Sequence, residues 1–229
     1  MSEREKIFGR IREALRVAAP VPGAHDHHER HAVSEAEAAK HISEWLPAVG
    51  DTLDDRIELF RANTLELKAE FHLLNNSKEM EGRLQELAIA ESWKRIASHS
   101  GELTDRACVA LALPRLATDG SYNVSELESC DAGVSECDAL VAQTGSVLVS
   151  SRSAGGRALS VLPPHHVVLA HRDQLLADLP AAFALLRTKY GSNYPSFISF
   201  ITGPSRTGDI ERILVLGAHG PKRLTILCV

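Results

Sequence analysis

The chain of 229 residues carries 25 Lys and Arg against 30 Asp and Glu, for a net charge of -5 and a pI near 6.1. That balance, with no basic stripe, excludes an electrostatic footprint for nucleic acid. Hydrophobic content of 44%, charged content of 24% and aromatic content of 5% describe a soluble globular protein with an aliphatic core. No apolar run reaches membrane-spanning length, and the start Met1-Ser2-Glu3-Arg4-Glu5-Lys6 is too charged for a secretory signal. A cytoplasmic protein without membrane insertion is therefore expected.

Residues 1–50 read as a helical extension and linker. Ile7, Phe8, Ile11 and Leu15 keep helical spacing in a first amphipathic helix. The tract from Ala19 through Pro20, Pro22 and the histidines His25, His27, His28 and His31 has no periodicity and reads as a linker. Its histidines would take up divalent ions adventitiously, but a solvated linker is the plainer reading, and no metal site is expected. Ser34 with Glu37 forms a capping box for a second helix that ends before Pro47.

From residue 51 to residue 229 the pattern alternates helix and strand. Helices are expected over Asp54 to Leu67 and Lys78 to Ala90, and strands over Ala69 to Leu74, Trp93 to Ser98 and Ala107 to Leu113. Thr118 to Cys137 is a polar stretch. Ala139 to Ala142 and Ser146 to Ser150 flank Gln143-Thr144-Gly145 as a hairpin with a tight turn. His165 to Ala170 reads as a strand, followed by a helix from Asp173 to Tyr190 that Pro180 interrupts. Strands at Phe197 to Thr202 and Leu224 to Cys228 bracket a helix beginning near Ser205. The fold class that follows is α/β, with a mainly parallel sheet and an inserted hairpin.

Three loops are candidates for chemistry. Ser150 to Arg157 offers hydroxyls, Gly155-Gly156 and two arginines that suit an anion, or simply a solvated loop. Pro163-Pro164-His165-His166 stands at a strand start, where alternation lets at most one imidazole face a given site. Gly203-Pro204-Ser205-Arg206-Thr207-Gly208-Asp209-Ile210-Glu211, closed by Gly217-Ala218-His219-Gly220-Pro221, reads as a strand-to-helix turn. There Gly203 permits close backbone approach and Ser205 or Thr207 caps the helix. Free amides with the Arg206 fork would hold a phosphate or carboxylate; an ordinary capped helix start is the alternative. Cys108, Cys130, Cys137 and Cys228 lack the spacing of a zinc or iron-sulfur site. No Walker loop or dinucleotide fingerprint occurs, so no cofactor is expected.

Taken in order, Gln143-Thr144-Gly145-Ser146, Gly156-Arg157-Ala158-Leu159-Ser160 running to Leu162-Pro163 and His165-His166, the Gly203 to Glu211 segment, and Gly217 with His219-Gly220-Pro221 resemble the LUD-domain family. The resemblance implies a three-layer α/β/α fold like that of the glucosamine-phosphate deaminase, ribose-phosphate isomerase and CoA-transferase superfamily. It also implies a part in oxidising L-lactate to pyruvate beside iron-sulfur partner proteins, with this chain carrying no cluster. Relatives commonly place Glu where Gln143 stands, and a neutral amide cannot be the nucleophile that attacks acyl-CoA. The ligand-binding set expected for a small anion is Gln143, Thr144, Gly145, Gly156, Arg157, His166, Gly203, Ser205, Arg206 and Thr207. If the protein is instead a free-standing isomerase- or hydrolase-type enzyme, Asp209 or Glu211 would act as base and His219 as acid. A purely structural assembly subunit is the third reading.

Overall fold

The computed structural model describes residues 3–14, 46–207, 215–217 and 219–229. Packing divides the chain into two units, Met1–Trp45 and Leu46–Val229. In the first, helix α1 spans Glu3–Ala14; the His25 to His31 tract and the helix expected from Ser34 lie outside the described residues.

The second unit is built on six parallel strands in the order β1-β12-β7-β4-β2-β3. These are β1 Glu70–Leu73, β2 Ile96–Ser98, β3 Arg115–Ala117, β4 Ala132–Ser135, β7 His165–Ala170 and β12 Arg223–Cys228. Helices α3 (Ser77–Ala90) and α4 (Glu102–Leu111) cover one face, packing Met80, Leu84, Leu103 and Ala107 on Ile96, Val134, Val167 and Leu169. Against the other face lie Ile57 and Phe60 of helix α2 (Leu53–Glu66) and a second sheet of four strands. That sheet has the order β8-β5-β6-β9, with β5 Ala139–Val141, β6 Ser146–Ser150, β8 Leu175–Leu176 and β9 Ile198–Ile201. Its Leu140, Val147 and Val149 meet Val168 and Ile226 of the first sheet. Its Ala139, Val141 and Leu148 meet Ala182, Leu186 and Tyr190 of helix α6 (Leu179–Tyr190). The α/β fold with a mainly parallel sheet holds, and the expected hairpin is the centre of this second sheet.

Three elements differ from expectation. Ala107 to Leu113, expected as a strand, is the end of α4: Leu103, Ala107 and Leu111 are buried four residues apart, and Ala112 in the left-handed region (φ 50) terminates the helix. An apolar run this short fits either period, and the helical face won. Within the polar stretch 118–137 the structure places a short helix, α5 (Val124–Glu128), and β4, whose four residues are all buried. The small residues of Ala132-Gly133-Val134-Ser135 hide that strand, and a Cβ on Gly133 would stand 2.6 Å from the Leu159 carbonyl oxygen. The expected helix from Asp173 is a single 3-10 turn (Arg172–Gln174) and β8, and α6 starts only at Leu179. Asp178 caps α6 by accepting from the Ala181 amide at 2.8 Å, and Pro180 sits in the first turn, where no amide proton is needed.

Candidate functional site

Two of the segments carrying the motifs, the Gln143 turn and the Gly203 segment, converge on the C-terminal end of α2. The β5–β6 connection is a 3-10 turn, Ala142–Thr144, closed by Gly145 in the left-handed region (φ 63). Asn63 Nδ2 donates to the carbonyls of Ala142 and Gln143 at 2.8 and 3.1 Å, fastening this turn to α2. A Cβ on Gly145 would lie 2.8 Å from Asn63 Cβ. Gly203 (φ 86) approaches the same helix end: its Cβ would lie 2.8 Å from the Leu67 carbonyl oxygen and 3.4 Å from Arg206 Nη2. The hydroxyls of Ser146 and Thr202 meet at 2.8 Å, joining the two segments. Gln143 Nε2 donates to the Pro47 carbonyl at 3.2 Å, while the buried hydroxyl oxygen of Thr144 has no partner among the described residues.

The Gly203 segment does not hand over to a helix at Ser205. Arg206–Thr207 form strand β10, paired antiparallel with β11 (Val215–Leu216). The Ser205 amide donates to the Pro221 carbonyl and the Ser205 carbonyl accepts from the Gly217 amide, both at 2.9 Å. The Ser205 amide is therefore not free, Arg206 beside it is exposed, and the residues that follow Thr207, from 208 to 214, lie outside the described residues. Asp209 and Glu211 lie outside the described residues, and His219 is exposed. Through Pro221 and Lys222, whose amide donates to Pro164 at 2.8 Å, this loop is tied to the amino-end edge of the parallel sheet. Of the three loops, only Ser150 to Arg157 reaches the carboxyl-end edge.

The remaining residues of the expected set are dispersed. Gly156 (φ 102) and Arg157 stand on the Ser150 to Arg157 loop, where Arg157 Nη2 donates to the Ser196 carbonyl at 3.0 Å. His166 is completely buried, its Nε2 at 2.8 Å from Ser135 Oγ and its Nδ1 without a partner among the described residues. Burial, helped by the neighbouring His165, pushes its pKa down to about 3, so the ring is a neutral core group closed to solvent. His165 points to the opposite face, between Glu91 Oε2 at 2.9 Å and Thr225 Oγ1 at 2.8 Å. Burial lowers its pKa against the raising effect of Glu91.

At the carboxyl-end edge, which the sequence reached through the Ser150 to Arg157 loop, sequence reasoning missed His99, Glu136 and Asp138. There β2 leads into α4 on one face while β4 leads into the second sheet on the other, the switch-point geometry of open α/β sheets. His99 Nε2 accepts from the Glu136 amide at 3.0 Å, and its Nδ1 bonds the Ser100 carbonyl at 3.0 Å, which sets the tautomer. Glu136 Oε1 accepts from the Leu103 and Thr104 amides at 2.8 and 3.2 Å, capping α4 where Gly101 has no side chain to do so. Gly155 (φ 62) closes over this edge, its Cβ position 2.5 Å from both His99 Cβ and Thr118 Oγ1. Beside it Asp138 is buried and accepts from Lys189 Nζ at 2.6 Å, the Tyr190 hydroxyl at 2.7 Å and Ser153 Oγ at 2.8 Å. No local pattern marks Asp138 in the sequence, since its partners come from two distant segments, the Ser150 to Arg157 loop and α6. All four cysteines are free thiols; burial raises the pKa of Cys137 above the ordinary thiol range and that of Cys228 to about 11.

A family model described as the LUD domain matches residues 25–229. The lactate utilization protein C of Anoxybacillus flavithermus is 27% identical over 196 residues, covering 83% of this chain and 87% of that protein. That of Geobacillus kaustophilus is 33% identical over 112 residues, 48% of this chain and 47% of that protein. That of Halalkalibacterium halodurans is 34% identical over 114 residues, 49% of this chain and 50% of that protein. The crystal structure of a DUF162 family protein from Deinococcus radiodurans has a TM-score of 0.62 at 18% identity, covering 79% of this chain and 99% of that one, which is a likeness of fold.

Proposed function

The chain belongs to the LUD-domain family, and from that premise we propose that it serves L-lactate utilization as a component that binds a small anionic ligand. The alignment with a lactate utilization protein C over most of both chains carries this reading. On it the protein works in the cytoplasm with iron-sulfur partner proteins that oxidise lactate to pyruvate, and holds no cluster itself. The spacing and burial of its thiols support that division of labour.

The ligand, a carboxylate or phosphate-bearing molecule, is held where the Gln143 turn, Gly203 and Arg206 meet the end of α2. With the Ser205 amide already engaged, recognition falls on the Arg206 fork and the Gln143 side chain rather than on a row of backbone amides. Gln143 hydrogen-bonds and does not attack, so acyl transfer through this residue is excluded. The test pairs growth with binding. A deletion strain should fail on L-lactate and recover with the wild-type gene. L-lactate, pyruvate, CoA or a sugar phosphate should raise the melting temperature of the purified protein, and Arg206→Ala should abolish the shift. Unchanged growth together with no shift from any of the four ligands would overturn the proposal.

A further inference from the structure

We propose that strand β9 is the interface through which two copies of this chain pair, edge to edge, into a two-fold dimer with a continuous eight-stranded second sheet. The inference rests on which backbone groups β9 leaves open. Strands β6 and β9 pair antiparallel, with Val149 opposite Ser199 and Ser150 opposite Ile198. The Ser151 amide donates to the Phe197 carbonyl at 2.9 Å, so Phe197 turns its backbone groups toward β6. Antiparallel ladders alternate, and hence Ser199 and Ile201 also bond β6, while Ile198 and Phe200 point their N–H and C=O groups away from it. The Asp138 amide, donating to the Leu148 carbonyl on the β5 side at 2.8 Å, confirms the parity, because Leu148 is the residue opposite Phe200. β9 closes its sheet on that side, so these groups meet no strand among the described residues.

Two open residues separated by one closed residue make a self-complementary edge. A second β9, related by a two-fold axis through Ser199, sets Ile198 opposite Phe200 of the second copy, and Phe200 opposite Ile198. Each of these is a doubly hydrogen-bonded pair, and no other antiparallel register uses all the open groups. The side chains agree. Ile198 and Phe200 face the α6 layer, whose open end is a groove of about 460 Å³ lined by Phe183, Leu186, Arg187, Tyr194, Ile198 and Phe200. Phe183 and Tyr194 there are 51% and 47% exposed. A second β9 would bring its own Ile198 and Phe200 onto that groove, burying both rims at once. Uncovered apolar edges of this kind are what natural sheets otherwise protect with charge, proline or a bulge, and β9, Ile198-Ser199-Phe200-Ile201, has neither charge nor proline.

Ser199 is the residue that tests the register. On the axis it faces its own copy as a non-hydrogen-bonded pair, with Cα atoms about 4.5 Å apart, a separation a disulfide can span. Ser199→Cys should therefore crosslink into a covalent dimer under mild oxidation, while the wild type with its four native thiols should not. Sedimentation velocity on the wild type should show a concentration-dependent dimer. Ile198→Pro should shift it to monomer at unchanged secondary structure, because it removes an outward N–H and leaves the β6 ladder intact. A wild type that stays monomeric up to its solubility limit would overturn the proposal. So would a dimer in which Ser199→Cys fails to crosslink, or one that Ile198→Pro leaves associated.

Discussion

Replacing Asp138 with Asn tests whether the carboxyl-end loop is held by a buried charge. Asp138 is 4% exposed and its two oxygens accept from Lys189, Tyr190 and Ser153. The same network continues through Ser150 Oγ, which lies 2.9 Å from the Tyr190 hydroxyl and accepts from the Arg152 and Ser153 amides. Burial, opposed by Ser150 and reinforced by Asp138, pushes the Tyr190 pKa up to about 12, which keeps the phenol a donor. Asn preserves the shape but keeps a single acceptor oxygen: the bonds from Lys189 and Tyr190 lose the carboxylate charge, and an amide nitrogen facing Ser153 cannot accept from it, a loss of about 1 kcal/mol each. The Lys189 share is discounted because that side chain is 45% exposed. The expected destabilisation is about 2–3 kcal/mol, or about 4–12 °C in melting temperature for a domain of this size. Differential scanning calorimetry measures that shift, and limited trypsin digestion should cut faster after Arg152 and Arg157. A variant melting within about 2 °C of wild type, with unchanged digestion, would refute the assignment of this network as the anchor of the loop.

Three other outcomes follow from the packing. His166 is neutral when folded, with its pKa at about 3, so its contribution to stability is present above its unfolded pKa and is lost as pH falls toward the folded value. Urea titrations should show a loss of about 2 kcal/mol between pH 7.5 and pH 5 from this residue, and His166→Gln should flatten that dependence. Gly203→Ala would put a Cβ 2.8 Å from the Leu67 carbonyl oxygen at φ 86, and should lower the melting temperature while weakening any ligand-induced shift. Gly133→Ala, 2.6 Å from the Leu159 carbonyl oxygen, should cost about 1–3 kcal/mol by forcing the covering loop off the sheet, read as a lower urea midpoint.

Long periodic segments and the turn-marked hairpin are legible in the sequence. α2, α3, β7 and the Gln143 hairpin lie where apolar spacing and turn chemistry place them. β4 is not, because a strand buried on both sides by small residues carries no hydrophobic signature. The start of the Gly203 loop was misread for a different reason: a Gly-Pro-Ser turn caps helices often, and only the long-range bond from Ser205 to Pro221 shows that this one begins a short ladder. The convergence of the Gln143 turn and Gly203 on Leu67 is likewise a tertiary fact, since about 60 residues of chain separate the two motifs. The switch-point residues His99 and Glu136 stood in segments with no motif at all.

The placement of β12 has a consequence for how the molecule is made. Among the described residues β1 pairs with no strand but β12, yet 149 residues, 74–222, separate the end of β1 from the start of β12. During synthesis β1 must therefore wait, unpaired, until nearly all the rest of the parallel sheet has been translated. Its sequence Glu70-Phe71-His72-Leu73 suits that wait, because two of its four residues are ionisable and only Phe71 is buried. Closure of the six-stranded sheet is then a late event that waits for β12, and Arg223, which pairs with both Glu70 and Glu91, is the latch that records it.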